Sequence, residues 1–161
     1  MTELTGEYVS GEVRNLWGEP FELQVERSLK RPLTELRDKK IYMRVAAKAT
    51  EVERRKQLDK WYVEQMRDKL AEIIPAYEKV VGRHASEWRF RRMKTRWGSC
   101  HIQKAKICLN IQLAEMPIEC LEYVVVHELT HLHEAGHNKR FWQLVEQFYP
   151  CYKDVKKRMR Q

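Results

Sequence analysis

Residues 127 to 137 read His-Glu-Leu-Thr-His-Leu-His-Glu-Ala-Gly-His, and no other stretch constrains the fold as much. His127 and His131 are four residues apart, so on a helix they share one face. The run before them, Leu121-Glu122-Tyr123-Val124-Val125-Val126, is apolar enough to bury such a helix. His137 stands six residues past His131, and along an unbroken helix it would turn away from that face. It joins the other two only if the helix stops first. Gly136 is expected to stop it, because glycine adopts the left-handed conformation common just past a helix end. Asn138 then offers an N-cap for a next helix carrying Phe141, Trp142, Val145 and Phe148. The predicted path is helix, break, third imidazole, helix.

Three imidazoles brought together in this way suit a metal ion. Two histidines at this spacing with an adjacent carboxylate form the arrangement of zinc peptidases. Three protein ligands leave a fourth position open, which a catalytic site needs and a structural one does not. The expected ligands of one Zn2+ are therefore His127, His131 and His137. Glu128 is the expected catalytic residue, close enough to work on water without being a ligand. His133 is expected to face solvent, as are His84 and His101, which have no partner in the sequence.

The chain has 161 residues, of which 43% are hydrophobic and 34% charged, enough for a real core and unlike a disordered chain. No segment approaches the ~20 apolar residues that span a bilayer, so no membrane partner is expected. The first residues lack a basic-then-apolar leader pattern. Cys100, Cys108, Cys120 and Cys151 form no C-x-x-C pair, which fits reduced thiols and a cytoplasmic location. The net charge is +8. Between Trp88 and Ala114 there are seven basic residues and no acid, and Lys153, Lys156, Lys157, Arg158 and Arg160 close the chain. Such clusters are candidate nucleic-acid surfaces or simply solvated faces.

Residues Gly11 to Val45 read as short strands, with Phe21, Leu23 and Val25 alternating, and then Ile41, Met43 and Val45. Thr50 and Glu53 form a capping box opening a long helix with Leu58, Trp61, Tyr62, Met66, Leu70, Ile73 and Ile74 on one face. Pro75 is expected to kink or restart it and Gly82 to end it. Trp88–Trp97 and Lys106–Gln112 read as the two arms of a hairpin. Pro117 opens the helix of the two histidines. The class is α+β: a small sheet packed on the active-site helix, residues 49–161, with an N-terminal β-rich extension, residues 1–48.

Several blocks are distinctive together: Lys60-Trp61-Tyr62, Met93 through Cys100 with its Trp-Gly-Ser-Cys core, Ile107-Cys108-Leu109-Asn110, Tyr123 through His131, and His137 through Trp142. On these blocks the chain resembles the YgjP-like metallopeptidase domain family, predicted metal-dependent hydrolases of zincin-like fold, similar in their core to the SprT and Spartan proteases. The resemblance implies zinc on His127, His131 and His137, with Glu128 catalytic. The metzincins share the histidine spacing but carry Gly where this chain has Glu134, so it does not resemble them. The expected reaction is peptide hydrolysis with Glu128 as general base. A protein or peptide substrate is expected to pair with an edge strand at Lys106, Ile107, Cys108, Leu109 and Asn110. Tyr149 and Tyr152 are expected to pack. Two other readings remain: a metal-dependent phosphodiester hydrolase, since YbeY-type ribonucleases share the three-histidine spacing, and a zinc-stabilised nucleic-acid or protein-binding module. Glu128 argues against both.

Overall fold

The computed structural model describes residues 7–160. The first strands are β1 (Val13–Leu16), β2 (Glu19–Ser28), β3 (Leu33–Arg37) and β4 (Lys40–Ala46). They form one sheet in the order β1-β2-β4-β3, with β2 and β4 parallel and the outer pairs antiparallel. Both hairpins turn on two residues with positive φ, Trp17-Gly18 and Asp38-Lys39, which matches the right-handed twist of paired strands. The register sets Leu23 beside Ile41 and Val25 beside Met43. Leu23, Ile41, Met43 and Val45 are buried against α1 and its neighbours.

Helix α1 (Glu51–Val81) starts where the sequence places it: Thr50 Oγ1 accepts from the Glu53 N–H at 3.2 Å. Over its first two thirds the buried residues, Arg54, Leu58, Trp61, Tyr62, Met66 and Leu70, follow helical spacing and so form one stripe, and Val81 is buried at its end. Pro75 lies inside the helix without ending it, and Gly82 closes it with φ 75° and an N–H bond to the Glu78 carbonyl. The buried Arg54 guanidinium donates to the carbonyls of Tyr8 and Ala49, which holds the leading segment to the helix.

The second sheet departs from the expected hairpin. It comprises β5 (Glu87–Arg91), β6 (Gly98–His101) and β7 (Lys106–Asn110), in the order β5-β7-β6. The hairpin is β6–β7, and β5 lies parallel to β7 on its other side. The chain leaves the sheet after Arg91 because two side chains draw it away. Arg92 pairs with Asp59 of α1 at 2.8 Å. Asn110, almost fully buried, donates to the carbonyls of Met93 (2.9 Å) and Arg96 (2.8 Å), while its N–H bonds the Trp97 carbonyl at 2.9 Å. Residues 92–97 are thus clamped as a loop instead of continuing a strand.

A 3-10 turn at Ile111–Glu115 leads to α2 (Ile118–Thr130), followed by α3 (Lys139–Phe148) and α4 (Tyr152–Met159). Helix α2 is buried on most sides and packs against α1, α3, α4, β6 and β7. Burial of each of its large apolar side chains favours folding by roughly 1.5–3 kcal/mol. Its start is seated on the first hairpin. The Trp17 and Gly18 N–H groups donate to the Ala114 and Glu115 carbonyls at 2.8 and 3.1 Å, and a Cβ on Gly18 would stand 3.1 Å from Pro117 Cγ. One apolar core runs from the first sheet to α4.

Candidate metal centre

Helix α2 carries His127 on its last turn and His131 as its C-cap, and both Nε2 atoms face His137. His137 Nε2 lies 3.2 Å from His127 Nε2 and 3.0 Å from His131 Nε2. Three nitrogens on one tetrahedral zinc ion stand roughly 3.3 Å apart, given Zn–N bonds of ~2.0–2.1 Å, so the donor set fits such an ion. All three ligand atoms lie within 4.8 Å of one another.

The break that admits His137 differs from the expected one. Helix α2 ends at Thr130, well before Gly136. The chain tightens there, with i+3 bonds from Leu132 N–H to Leu129 and from His133 N–H to Thr130. Gly136 is not among the residues of positive φ, and a Cβ there would meet only Asn138 Nδ2, at 3.9 Å. The loop is held by Glu134 instead. Its carboxylate accepts from Asn138 Nδ2 at 2.8 Å and pairs with Arg140 at 3.5 Å. Asn138 caps α3 as predicted, accepting from the Phe141 N–H at 3.0 Å.

The surroundings orient each ring. The Glu134 carbonyl accepts from His131 Nδ1 at 3.1 Å, which leaves the Nε2 lone pair free for a cation. Tyr123 Oη lies 3.4 Å from His127 Nδ1. Phe141 stacks on His131 and Trp142 on His137. Burial, helped by the other two histidines, pushes His127 down to about 3, and burial lowers His131 as well. Neutral imidazole is the form that binds a metal.

Glu128 is buried beside these rings, its Oε2 4.0 Å from His127 Nε2. Burial pushes its carboxyl up to about 8, against the pull of Arg96. Its carboxylate rests on β6, where a Cβ at Gly98 would meet Oε2 at 3.0 Å. These residues line an open cleft of about 720 Å³.

The cleft includes residues that sequence reasoning did not assign to a site. Gly98 and Cys100 belong to the Trp-Gly-Ser-Cys block, which falls between the two expected arms of the hairpin. Tyr123 sits one helical turn before His127, a spacing that could have revealed it. Arg96, Trp142, Lys156 and Arg160 also line it.

Conversely, Lys106–Asn110 is not a docking edge. As the central strand, β7 is paired on both sides, and none of its five residues lines the cleft. Ile107 and Leu109 are core, Lys106 pairs with Glu87 at 3.3 Å, Cys108 is half-buried, and Asn110 is the clamp described above. The free edge at the cleft is β6. His133 also departs from expectation: its Nε2 bonds the Val81 carbonyl at 2.7 Å and its ring lies against Phe148. His84 and His101 are exposed. Tyr152 stacks on Trp142, and Tyr149 donates to the Glu119 carbonyl at 3.4 Å, so both pack.

A family model described as YgjP-like, metallopeptidase domain, matches residues 2–161. The chain belongs to the YgjP-like metallopeptidase domain family. It is a metal-dependent peptidase domain, which favours neither a phosphodiester hydrolase nor a binding module. Among solved structures, the chain is similar in fold to the metallopeptidase zymogen of Pyrococcus abyssi abylysin. The TM-score is 0.50 at 22% identity, over 56% of this chain and 90% of that one. A search of curated proteins finds no match. The comparisons lend no support to a nucleic-acid partner. The acid-free run is also partly neutralised in space, with Arg89 on Glu87 and Arg92 on Asp59. No helix among the described residues is long and apolar enough to cross a membrane.

Proposed function

We propose that this YgjP-like domain is a zinc peptidase in which His127, His131 and His137 hold one Zn2+ and Glu128 is the general base. The observation that carries the reading is the convergence of three Nε2 atoms on a cleft wall beside a buried carboxylate. A zinc ion there supplies Lewis acidity, which activates water at neutral pH and polarises a carbonyl.

The chain's own groups do the rest. Glu128 takes the proton of the attacking water and passes it to the leaving amine nitrogen. Its burial keeps the carboxylate poorly solvated and basic, as that transfer needs. The free backbone groups of β6, Gly98–His101, pair with an extended peptide and lay the scissile bond along the cleft. The Glu134 carbonyl accepts the Nδ1 proton of His131, which keeps that Nε2 free of a proton, and Tyr123 lies against Nδ1 of His127.

The decisive experiment measures bound zinc and peptide hydrolysis on the same samples. Glu128→Gln keeps zinc and loses hydrolysis; full activity in that variant rules out the general-base role. His137→Ala loses most of its zinc; unchanged metal content removes His137 from the ligand set.

A further inference from the structure

The cleft wall is charged in an unbalanced way. Among the described residues its only acid is Glu128, whose carboxylate is committed to the proposed chemistry, whereas Arg96, Lys156 and Arg160 all line it. Several basic residues elsewhere find partners within the chain: Arg89 and Lys106 on Glu87, Arg92 on Asp59, Arg140 on Glu134. Arg96, Lys156 and Arg160 have no ion pair among the described residues.

Lys156 is the most telling of the three. It is only partly exposed, and its Nζ sits 3.8 Å over the ring of Trp142. Trp142 in turn stacks on His137, so the ammonium is one ring away from the third imidazole. Arg160 lies one helical turn further along the same chain segment. A partly desolvated ammonium gains most from a carboxylate that reaches it, and the described residues offer it no ion pair. Burial, and then the charge of Arg160, lower the Lys156 pKa, the direction expected of a cation short of an anion.

We propose that the cleft selects peptides carrying an Asp or Glu side chain next to the scissile bond, with Lys156 and Arg160 at the chain's end and Arg96 in the β5–β6 loop as the specificity-determining cations. This inference rests on the peptidase reading above and names the substrate class for the same cleft. Arg96 reaches the cleft beside β6, the edge along which a peptide lies, so an acidic side chain is met close to the bond being cut.

The test uses three fluorescently labelled peptides that differ at one position flanking the scissile bond: Glu, Gln or Lys. Binding is read by anisotropy on Glu128→Gln protein, and kcat/KM on zinc-loaded wild type. The Glu peptide is expected to exceed the Gln peptide about tenfold in both, as two or three partly exposed charge pairs provide, and high salt erodes the difference. Lys156→Glu with Arg160→Glu reverses the order of the Glu and Lys peptides. Arg160→Glu alone, at an exposed position just past α4, gives a smaller shift in the same direction and guards against misfolding of the double variant. Equal binding of the three peptides, or a preference that survives both charge reversals, overturns the inference and leaves the peptidase reading intact if all three are cut. Failure of the zinc-loaded protein to cut any peptide overturns both.

Discussion

Gly98 of β6 and Glu128 of α2 are in contact across the cleft, and the fit leaves no room for a methyl group. A Cβ at residue 98 would stand 3.0 Å from Glu128 Oε2, 3.1 Å from its Cγ and 3.0 Å from Val124 Cγ1. The edge strand therefore serves as the seat of the Glu128 carboxylate. Gly98→Ala is expected to displace Glu128 by a few tenths of an ångström or more and to lower kcat/KM up to about a hundredfold. Zinc content should be unchanged. Loss of zinc along with activity would show that the strand supports the whole site instead.

The burial of Glu128 makes a prediction for chelator-treated protein. Its folded pKa, pushed up to about 8, lies above the ~4.3 of a free glutamate. The folded state thus favours the protonated form. Its contribution to stability is complete below the unfolded pKa and is lost as pH rises towards 8. One such group gives a slope of about 1.4 kcal/mol per pH unit at most. Denaturant unfolding of the chelated protein between pH 6.5 and 8 should show that decline, flattened in Glu128→Gln. Identical slopes in the two proteins would contradict it.

Tyr123 contributes through His127. The 3.4 Å separation of its hydroxyl from Nδ1 is long for a hydrogen bond, so its effect on ring orientation is modest. Tyr123→Phe is expected to weaken zinc about tenfold in competition with a chromogenic chelator, the low end for such a supporting group. The melting temperature of the chelated protein should stay within a degree or so, since only a weak bond is removed.

Asn110 is predicted to be a stability residue and not a substrate contact. Its side chain serves the Met93 and Arg96 carbonyls and accepts from the Gln112 N–H at 3.0 Å. Asn110→Ala leaves those groups without these bonds in a buried setting, a cost of about 3 kcal/mol in urea unfolding. KM should change little in whatever fraction remains folded. A raised KM at unchanged stability would restore the docking role to β7.

What could be read from sequence was what a few neighbouring residues decide. Thr50 and Asn138 cap helices within three positions of their partners. The imidazole triad spans eleven residues. What escaped depends on distant groups. Strand β7 became central because Arg92 reaches Asp59, 33 positions away, and Asn110 reaches back 17 to Met93. The role of Glu134 as loop anchor, assigned above only as a departure from another family, depends on α3 being in place. Lys156 and Arg160 read as part of a basic cluster, a candidate nucleic-acid surface or a solvated face, since nothing local says that their end of the chain lines the cleft.

The seating of α2 on the first hairpin has a consequence at its other end. Thirteen residues of helix at ~1.5 Å each make a stiff rod of about 20 Å. Pro117 at one end rests on Gly18, and His127 and His131 ride at the other. A rod so held converts a small tilt at its foot into a displacement of the imidazoles at its tip. Substitutions in the Trp17-Gly18 turn, remote from the cleft, are in this sense calibration changes. They alter where the two imidazoles of α2 stand relative to His137, which is carried by the loop before α3.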